Sequence, residues 1–253
     1  MRISVVVITR NEEASIRRCL DSVSWADEVV VLDSGSTDRT VEICRERGAR
    51  VSVTTDWPGF GPQKNRALDL ATGEWVLSLD ADEWVTAELA KEIRAVVAEP
   101  GSASAFRLPR LSSFCGRYMR HSGWWPDYVT RLFRRGKARF SDDLVHERLI
   151  VNGPVGRLKG TLLHESFGSL EEVLDKINRY SSLGAQQMAA AGRRGGAFAA
   201  ALHALAAFVR TYFLKAGCLD GREGFMLAVS NAEGAYYKYV KLWLMQARAN
   251  RER

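Results

Sequence analysis

The sequence predicts an α/β protein: a mostly parallel sheet wrapped by helices, followed by a helical C-terminal extension. Three observations carry this. Through residue 100 short apolar runs alternate with stretches of helical period, the pattern of strands joined by crossover helices. From about Ser102 the strand-like pieces shorten and are separated by Gly and Arg, as in a mixed, loop-rich half of the same domain. Beyond Ser169 only helical period remains. The expected division is therefore 1–165, with halves 1–100 and 101–165, and a helical extension 166–253.

Each element has a local reason. Ile3 to Ile8 is an apolar run of buried-strand type, and Asn11 can cap a helix whose apolar residues Ile16, Cys19, Leu20 and Val23 recur at helical spacing. Val29 to Leu32 is a second strand, Thr40 to Arg47 a helix, and Val51 to Val53 a short third strand. Trp75 to Leu79 forms the fourth, after which Thr86 caps a helix through Val97. Phe106 to Leu111, Val129 to Phe133 and Leu158 to Leu163 read as strands, and helices are expected near 169–191, 197–215 and 222–247. Gly192 to Gly196, GRRGG, is a candidate hinge.

Composition narrows the class. The chain has 253 residues, 46% hydrophobic and 26% charged, which excludes a disordered or fibrous protein. Its net charge of +6 is a sum of opposites: residues 1–100 hold 12 Lys+Arg against 18 Asp+Glu, and the remainder holds 24 against 12. A basic balance admits nucleic acid, a membrane surface or an anionic substrate as partner. Cys19, Cys44, Cys115 and Cys218 show no metal-ligand spacing and read as buried thiols of a reducing compartment. Only Val5 to Ile8 is unbroken and apolar at the N-terminus, short of a signal-peptide core. Ala197 to Val209, at 13 residues, is too short to span a bilayer. A cytoplasmic location is expected, with attachment to a membrane face left open.

Ligands of open α/β sheets bind beyond the carboxyl ends of the strands. Those ends read Thr9-Arg10-Asn11, Asp33-Ser34-Gly35-Ser36, Thr54-Thr55-Asp56 and Asp80-Ala81-Asp82-Glu83. Three of the four are acidic. Two carboxylates splayed at a strand terminus, as Asp80 and Asp82 are, can hold one hard cation whose open positions take phosphate oxygens. The plainer alternative makes both of them capping or loop carboxylates before the helix at 86. Asp33 ends its strand within reach of a bound ligand, and Ser36, Thr37 and Asp38 make a good helix start.

Taken together, SVVVITRNEE, VVLDSGSTDRT, GFGPQKNRAL with GEWVLSLDADE, and RLFRRGKARFSDDLVHE resemble the family 2 glycosyltransferases of GT-A fold, a Rossmann-like mixed sheet that binds nucleotide sugars. HESFGSLEEVLDKINRYS, FLKAGCLDGREGF and YYKYVKL look like the subgroup that adds a hexose to the lipopolysaccharide inner core. The resemblance implies an inverting, metal-dependent transfer of a hexose, glucose foremost, from a UDP-sugar to a lipopolysaccharide-core or related glycolipid. It places Thr9, Asn11 and Glu12 against the nucleotide, Asp33 at the uridine, and Lys64 and Arg66 at the base or phosphates. Asp80 and Asp82 would hold a divalent metal, Mg2+ or Mn2+, and the ribose. Where many members carry two consecutive acids this chain has Asp33-Ser34, so a contact made by the second acid is not carried over.

An inverting transfer needs one general base beside the acceptor hydroxyl and no carboxylate nucleophile. Asp142, Asp143 and Glu147 in SDDLVHERL are the candidates, with Glu147 preferred; a surface ion pair beside His146 and Arg148 is its alternative. His164 could touch metal or phosphate, or be structural. Trp124 and Trp125 are candidate stacking faces for an acceptor sugar, with Arg131 and Arg134 beside them as contacts for its negative charge. Interleaved aromatic and basic residues in the C-terminal helices suit an anionic membrane surface. Two other readings are open: a haloacid dehalogenase-type phosphotransferase, against which D-x-D ends the fourth strand rather than the first, and a non-catalytic lipid- or nucleic-acid-binding module. Retention of Asp33, Asp80 and Asp82 argues against the latter, and nucleic acid is the least supported partner. No oligomeric state is assigned.

Overall fold

The computed structural model of the protein describes residues 1–142 and 147–251. The chain divides into two compact units, Met1–Arg110 with Asp127–His164, and Leu111–Pro126 with Glu165–Arg253. Unit 1 opens with β1 (Ile3–Thr9), α1 (Ile16–Ser22), β2 (Glu28–Asp33), α2 (Thr40–Glu46) and β3 (Arg50–Val53). It continues with α3 (Phe60–Leu70), β4 (Trp75–Asp80), β5 (Glu83–Val85) and α4 (Ala87–Ala98). β6 (Ala105–Phe114) runs into unit 2, which holds β7 (Arg117–Tyr118); β8 (Asp127–Arg134), β9 (Ala138–Phe140), β10 (Leu149–Val151) and β11 (Val155–Arg157) belong to unit 1. β12 (Leu162–Phe167) leads out to α5 (Leu170–Ala190), α6 (Ala197–Val209) and α7 (Gly221–Arg251).

The sheet of unit 1 runs β3-β2-β1-β4-β8-β6, parallel through the first four strands and antiparallel from β8 onward. β1 and β4 are buried almost without break, as strands covered on both faces must be. Alternation along them feeds two cores. Val5, Val7, Leu77 and Leu79 pack with Ile16 and Leu20 of α1 and Leu89 and Ile93 of α4. Val6, Val30, Leu32 and Val76 pack on Ala67, Leu68 and Ala71 at the end of α3. Register aligns the carboxyl ends: Thr9 lies opposite Asp33, and Ile8 opposite Asp80.

Some local expectations change. α3 has no counterpart in the sequence reading, because its inward side carries Gln63, Lys64 and Asn65 rather than an apolar stripe. Asn11 is not a helix cap: α1 begins at Ile16, and Asn11 takes a φ of 56° while its side chain accepts from Thr37 N at 2.8 Å. Thr86 does cap α4, accepting from Leu89 N. Leu158 to Leu163 is not one strand, since β11 ends at Arg157 and β12 starts at Leu162. Cys19 and Cys44 are buried thiols, but Cys218 is exposed, so burial is not common to the four cysteines. Burial pushes the Cys44 thiol up to about 12, with Asp33 adding to it.

Unit 2 is built on α5, α6 and α7. Ser169 caps α5 by accepting from Glu172 N, and Gly168 N donates back to the Glu172 carboxylate. Phe114, Met119, Val173 and Leu227 form its core. Asp220, buried before α7, accepts from the backbone of Arg120 and His121 and from Ser122 Oγ at 3.0 to 3.1 Å, which ties residues 111–126 to the helices. The apolar run expected to stop at Val209 continues through a π-turn, Arg210–Leu214. Ala197–Leu214 is thus long and apolar enough to cross a membrane by length and composition, and most of it is exposed.

Candidate active site

The site is assembled at the carboxyl ends of β1, β2 and β4. Asp33 is fully buried, accepting from Gly35 N, Ser36 N, Thr9 Oγ1 and Ser36 Oγ at 2.5 to 3.0 Å. It shapes the loop after β2. That loop is stitched to the one after β1 by Asn11 N to Ser36 Oγ, Glu12 N to Thr40 Oγ1, and Arg39 N to the Glu13 carboxylate.

At the end of β4 the two acids of D-x-D have different surroundings. Asp80 gives one oxygen to Lys64 Nζ at 2.9 Å and the other to Arg131. Arg131, 7% exposed, also holds Glu83 at 2.7 Å, and Arg110 joins Glu83 to Asp127. Burial works to raise the Asp80 pKa, but Arg131 and then Lys64 outweigh it and hold the carboxyl well below the usual carboxylate range. The Asp80 pairing therefore adds its full stability above pH of about 4 and loses it as pH falls further. Asp82 instead meets His164 Nε2 at 3.2 Å.

Lys64 also reaches the Glu147 carboxylate at 3.0 Å, linking residues 83 apart in sequence. Glu147 is brought there by backbone: Asn65 pairs both ways with Phe140 at 2.9 Å, and Ser141 N donates to Arg148 O at 2.8 Å. Gly61, in the first turn of α3, lets this strand pass, for a Cβ there would collide with the Ser141 carbonyl.

Three hollows with shared walls run along these residues. The first, about 360 Å³, lies between Thr9, Glu12, Trp57 and Phe60. The second, about 300 Å³, shares Glu12 and Phe60 and holds Asp82, His164, Lys64 and Glu147. The third, about 330 Å³, shares Lys64, Asp80 and Glu147 and adds Arg110 and Arg131. Burial raises the Glu12 carboxyl above its ordinary pKa, and the negative charge of Asp82 adds to the rise. An added cation is welcome in such a place. Among the described residues no group of three or more His, Cys, Asp or Glu is placed to share one ion. Asp82 and His164 fit a divalent ion that keeps its other positions for phosphate oxygens and water, whereas both Asp80 oxygens are held by cations.

Other expected residues fall elsewhere. Arg131, expected at the acceptor, lines the third hollow but is buried as the clamp on Asp80 and Glu83. Arg134 pairs in register with Trp75, at the opposite end of β4 from Asp80, and stacks over that ring. Arg66 pairs with exposed Asp56 at 2.7 Å, Asp142 is exposed, and Asp143 lies outside the described residues. Trp124 and Trp125 belong to unit 2, where Trp124 packs on Phe114 and Phe167. Trp57 and Phe60, edge to face at 4.9 Å and about half exposed, are absent from the sequence reading. Two solvent-facing aromatics in DWPGFGPQ, just past a strand end, are the signal that could have found them.

Removing Arg131 tests the clamp. Arg131→Met leaves buried Glu83 with Arg110 alone and Asp80 with Lys64 alone and is expected to cost about 3 kcal/mol, a drop of roughly 10 °C in unfolding temperature by calorimetry. An unchanged transition would show that the ion cluster carries no stability.

The profile of Glycosyl transferase family 2 matches residues 4–151, more than half of the chain. The chain belongs to that family. The family's match spans β1 to β10 and so contains most of the groove. The lipopolysaccharide core biosynthesis glycosyltransferase LpsC of Rhizobium meliloti is 30% identical over 256 residues, 97% of this chain and 93% of its own. An uncharacterized glycosyltransferase of Rickettsia typhi is 30% identical over 95% of this chain and 86% of its own. The structure of Staphylococcus aureus TarS residues 1–349 with UDP-GlcNAc aligns with a TM-score of 0.51 at 23% identity, over 67% of this chain and 60% of that one. The likeness to TarS is one of fold, the GT-A fold.

Proposed function

We propose that this family 2 glycosyltransferase moves a hexose, glucose foremost, from a UDP-sugar to a hydroxyl of an anionic, lipopolysaccharide-core-like glycolipid, with inversion and with Mg2+ or Mn2+. The observation that carries the reading is the continuous groove from the Trp57–Phe60 hollow, past Asp82 and His164, to Glu147 on Lys64. Its parts match a nucleoside, a diphosphate and a reacting sugar in that order. Trp57 and Phe60 offer faces for a base, Asn11 and Asp33 hold the loops that border it, and Glu12 faces the ribose side.

Asp82 and His164 would hold the divalent ion, which when bound neutralises the charge that builds on the departing diphosphate. Lys64 fixes the Glu147 carboxylate at 3.0 Å. Glu147 takes the proton of the acceptor hydroxyl as that oxygen bonds to the anomeric carbon, while the bond from that carbon to the diphosphate breaks and UDP leaves. One displacement inverts the configuration. Orientation and charge stabilisation supply most of the rate. The name of LpsC supports the acceptor class. The exposed apolar side of α6 and the turn after it, with Phe198, Leu205 and Leu214 between 61% and 82% exposed, supports a peripheral place on the cytoplasmic membrane face.

A panel of UDP-, GDP- and dTDP-sugars with core acceptors, read by mass spectrometry, tests the reading. UDP-hexose turnover that requires divalent metal is the expected result; no turnover of any nucleotide sugar together with no UDP binding overturns it. Gly61→Ala adds a positional test. By pushing the Ser141 strand and with it Glu147, it should lower kcat about 100-fold while changing KM for the donor little. Full turnover in that variant would remove the positioning role.

A further inference from the structure

Unit 2 contains a cavity of its own, about 580 Å³, that the transfer chemistry does not use. Lys176 on α5, Arg210 and Lys215 around the π-turn, and Lys238 on α7 line it, and among the described residues no Asp or Glu does. Of its remaining polar wall, Ser122 and Ser181 already give their hydroxyl protons to Asp220 and the Asn178 carbonyl, and Tyr180, Thr211, Ser230 and Asn231 supply donors suited to anionic oxygens. The aromatic rings are placed to keep the cations in position. Lys176 Nζ lies 4.4 Å from the Phe167 ring centre and Lys238 Nζ 5.8 Å from that of Tyr239, while Lys215 lies across Gly123, where a Cβ would strike it. Arg210, Lys215 and Lys238 bring like charge to one hollow whose wall, among the described residues, holds no Asp or Glu, so an anion entering it is attracted.

The neighbouring surface says what kind of anion. α6 contributes Ala207 to the cavity wall, while Phe198, Leu202 and Leu205 on the same helix are more than half exposed, as are Phe213 and Leu214 just beyond it. The cationic cavity thus has in its wall a helix whose other residues form a bare apolar face. That combination matches an amphiphile whose phosphates sit in the pocket and whose chains remain in a bilayer. The volume suits a phosphorylated sugar headgroup.

We propose that the unit 2 cavity is a binding site for the phosphate-bearing sugar headgroup of a membrane glycolipid. The assignment rests on the sugar-transfer reading only in taking that glycolipid to be of the acceptor class.

Vesicle flotation of the full chain tests it with three probes: phosphatidylcholine vesicles carrying a bisphosphorylated diglucosamine lipid, the same vesicles carrying phosphatidylglycerol at equal charge, and free inorganic pyrophosphate as competitor. The wild-type chain should bind the glycolipid vesicles at least 10-fold more tightly than the phosphatidylglycerol ones. At about fivefold per cation, Arg210→Gln with Lys238→Gln should weaken glycolipid binding about 30-fold and erase the preference, and Lys215→Gln alone should weaken it about fivefold. Arg193→Gln with Arg194→Gln, on an exposed loop away from the cavity wall, should preserve the preference. Equal binding to both vesicles, or a preference that survives in the cavity variants, overturns the proposal. Pyrophosphate binding as tight as glycolipid binding overturns the amphiphile. A wild-type chain that distinguishes the vesicles but binds no UDP with divalent metal would refute the transfer reading while leaving the cavity assignment standing.

Discussion

Asp82→Ala should reduce kcat for sugar transfer by about 10³-fold or more, with the folded structure retained. The loss is large because Asp82 and His164 are the residues proposed to hold the divalent ion, and deleting one would remove half of the protein's hold on it. Stability is expected to change little. Asp82 is about a third exposed and its partner is a single histidine, so the pair belongs with solvent-facing ion pairs of about 1 kcal/mol or less. The contrast with Asp80 is the diagnostic part. Asp80 is tied to Lys64 and Arg131, so its removal should lower the unfolding temperature as well as activity. Metal-dependent thermal stabilisation by UDP, measured on both variants, separates the roles. A D82A protein that keeps full turnover would remove the proposed ion site.

Glu147→Gln should lower kcat by roughly 10²- to 10⁴-fold, the usual contribution of a general base, while the KM for the donor stays near the wild-type value. Glutamine preserves the shape and can still accept from Lys64, so the groove should keep its walls. What it cannot do is take a proton from a hydroxyl. Unchanged turnover in this variant would pass the assignment to Asp142 or Asp143. A raised KM with unchanged kcat would instead make Glu147 a binding residue.

Much of unit 1 is legible because its signals are local. Buried parallel strands are continuous apolar runs, and Ile3 to Ile8 and Trp75 to Leu79 read as such without any tertiary knowledge. A chain that turns out of a sheet exposes polar backbone and gathers polar residues there, so Asp33, Asp80 and Asp82 could be placed at strand ends by position alone. α3 was not legible for the converse reason. Its buried side carries Gln63, Lys64 and Asn65, each held by a partner distant in sequence, so the helical period of apolar residues is broken by the residues that build the site. Trp57 and Phe60 were missed because exposed aromatics carry no period at all.

The basic residues of β8 show the limit of composition. Arg131 and Arg134 are three apart and both count toward the cationic excess, yet one is the buried clamp on Asp80 and Glu83 and the other stacks on Trp75. Charge is additive in a sequence, but its effect depends on what lies within a few ångströms.

By itself the sequence determined the strand and helix alternation of the first hundred residues, the family, and the acids at the strand ends, since each rests on neighbours in the chain. Only the tertiary structure decided that Asp80 is held by two cations while Asp82 meets His164, that Glu147 comes to Lys64, and that four cationic residues of the helical unit line one cavity. Those facts depend on pairs tens of residues apart, and Coulomb energies between such pairs exist only once folding has brought them to hydrogen-bond distance.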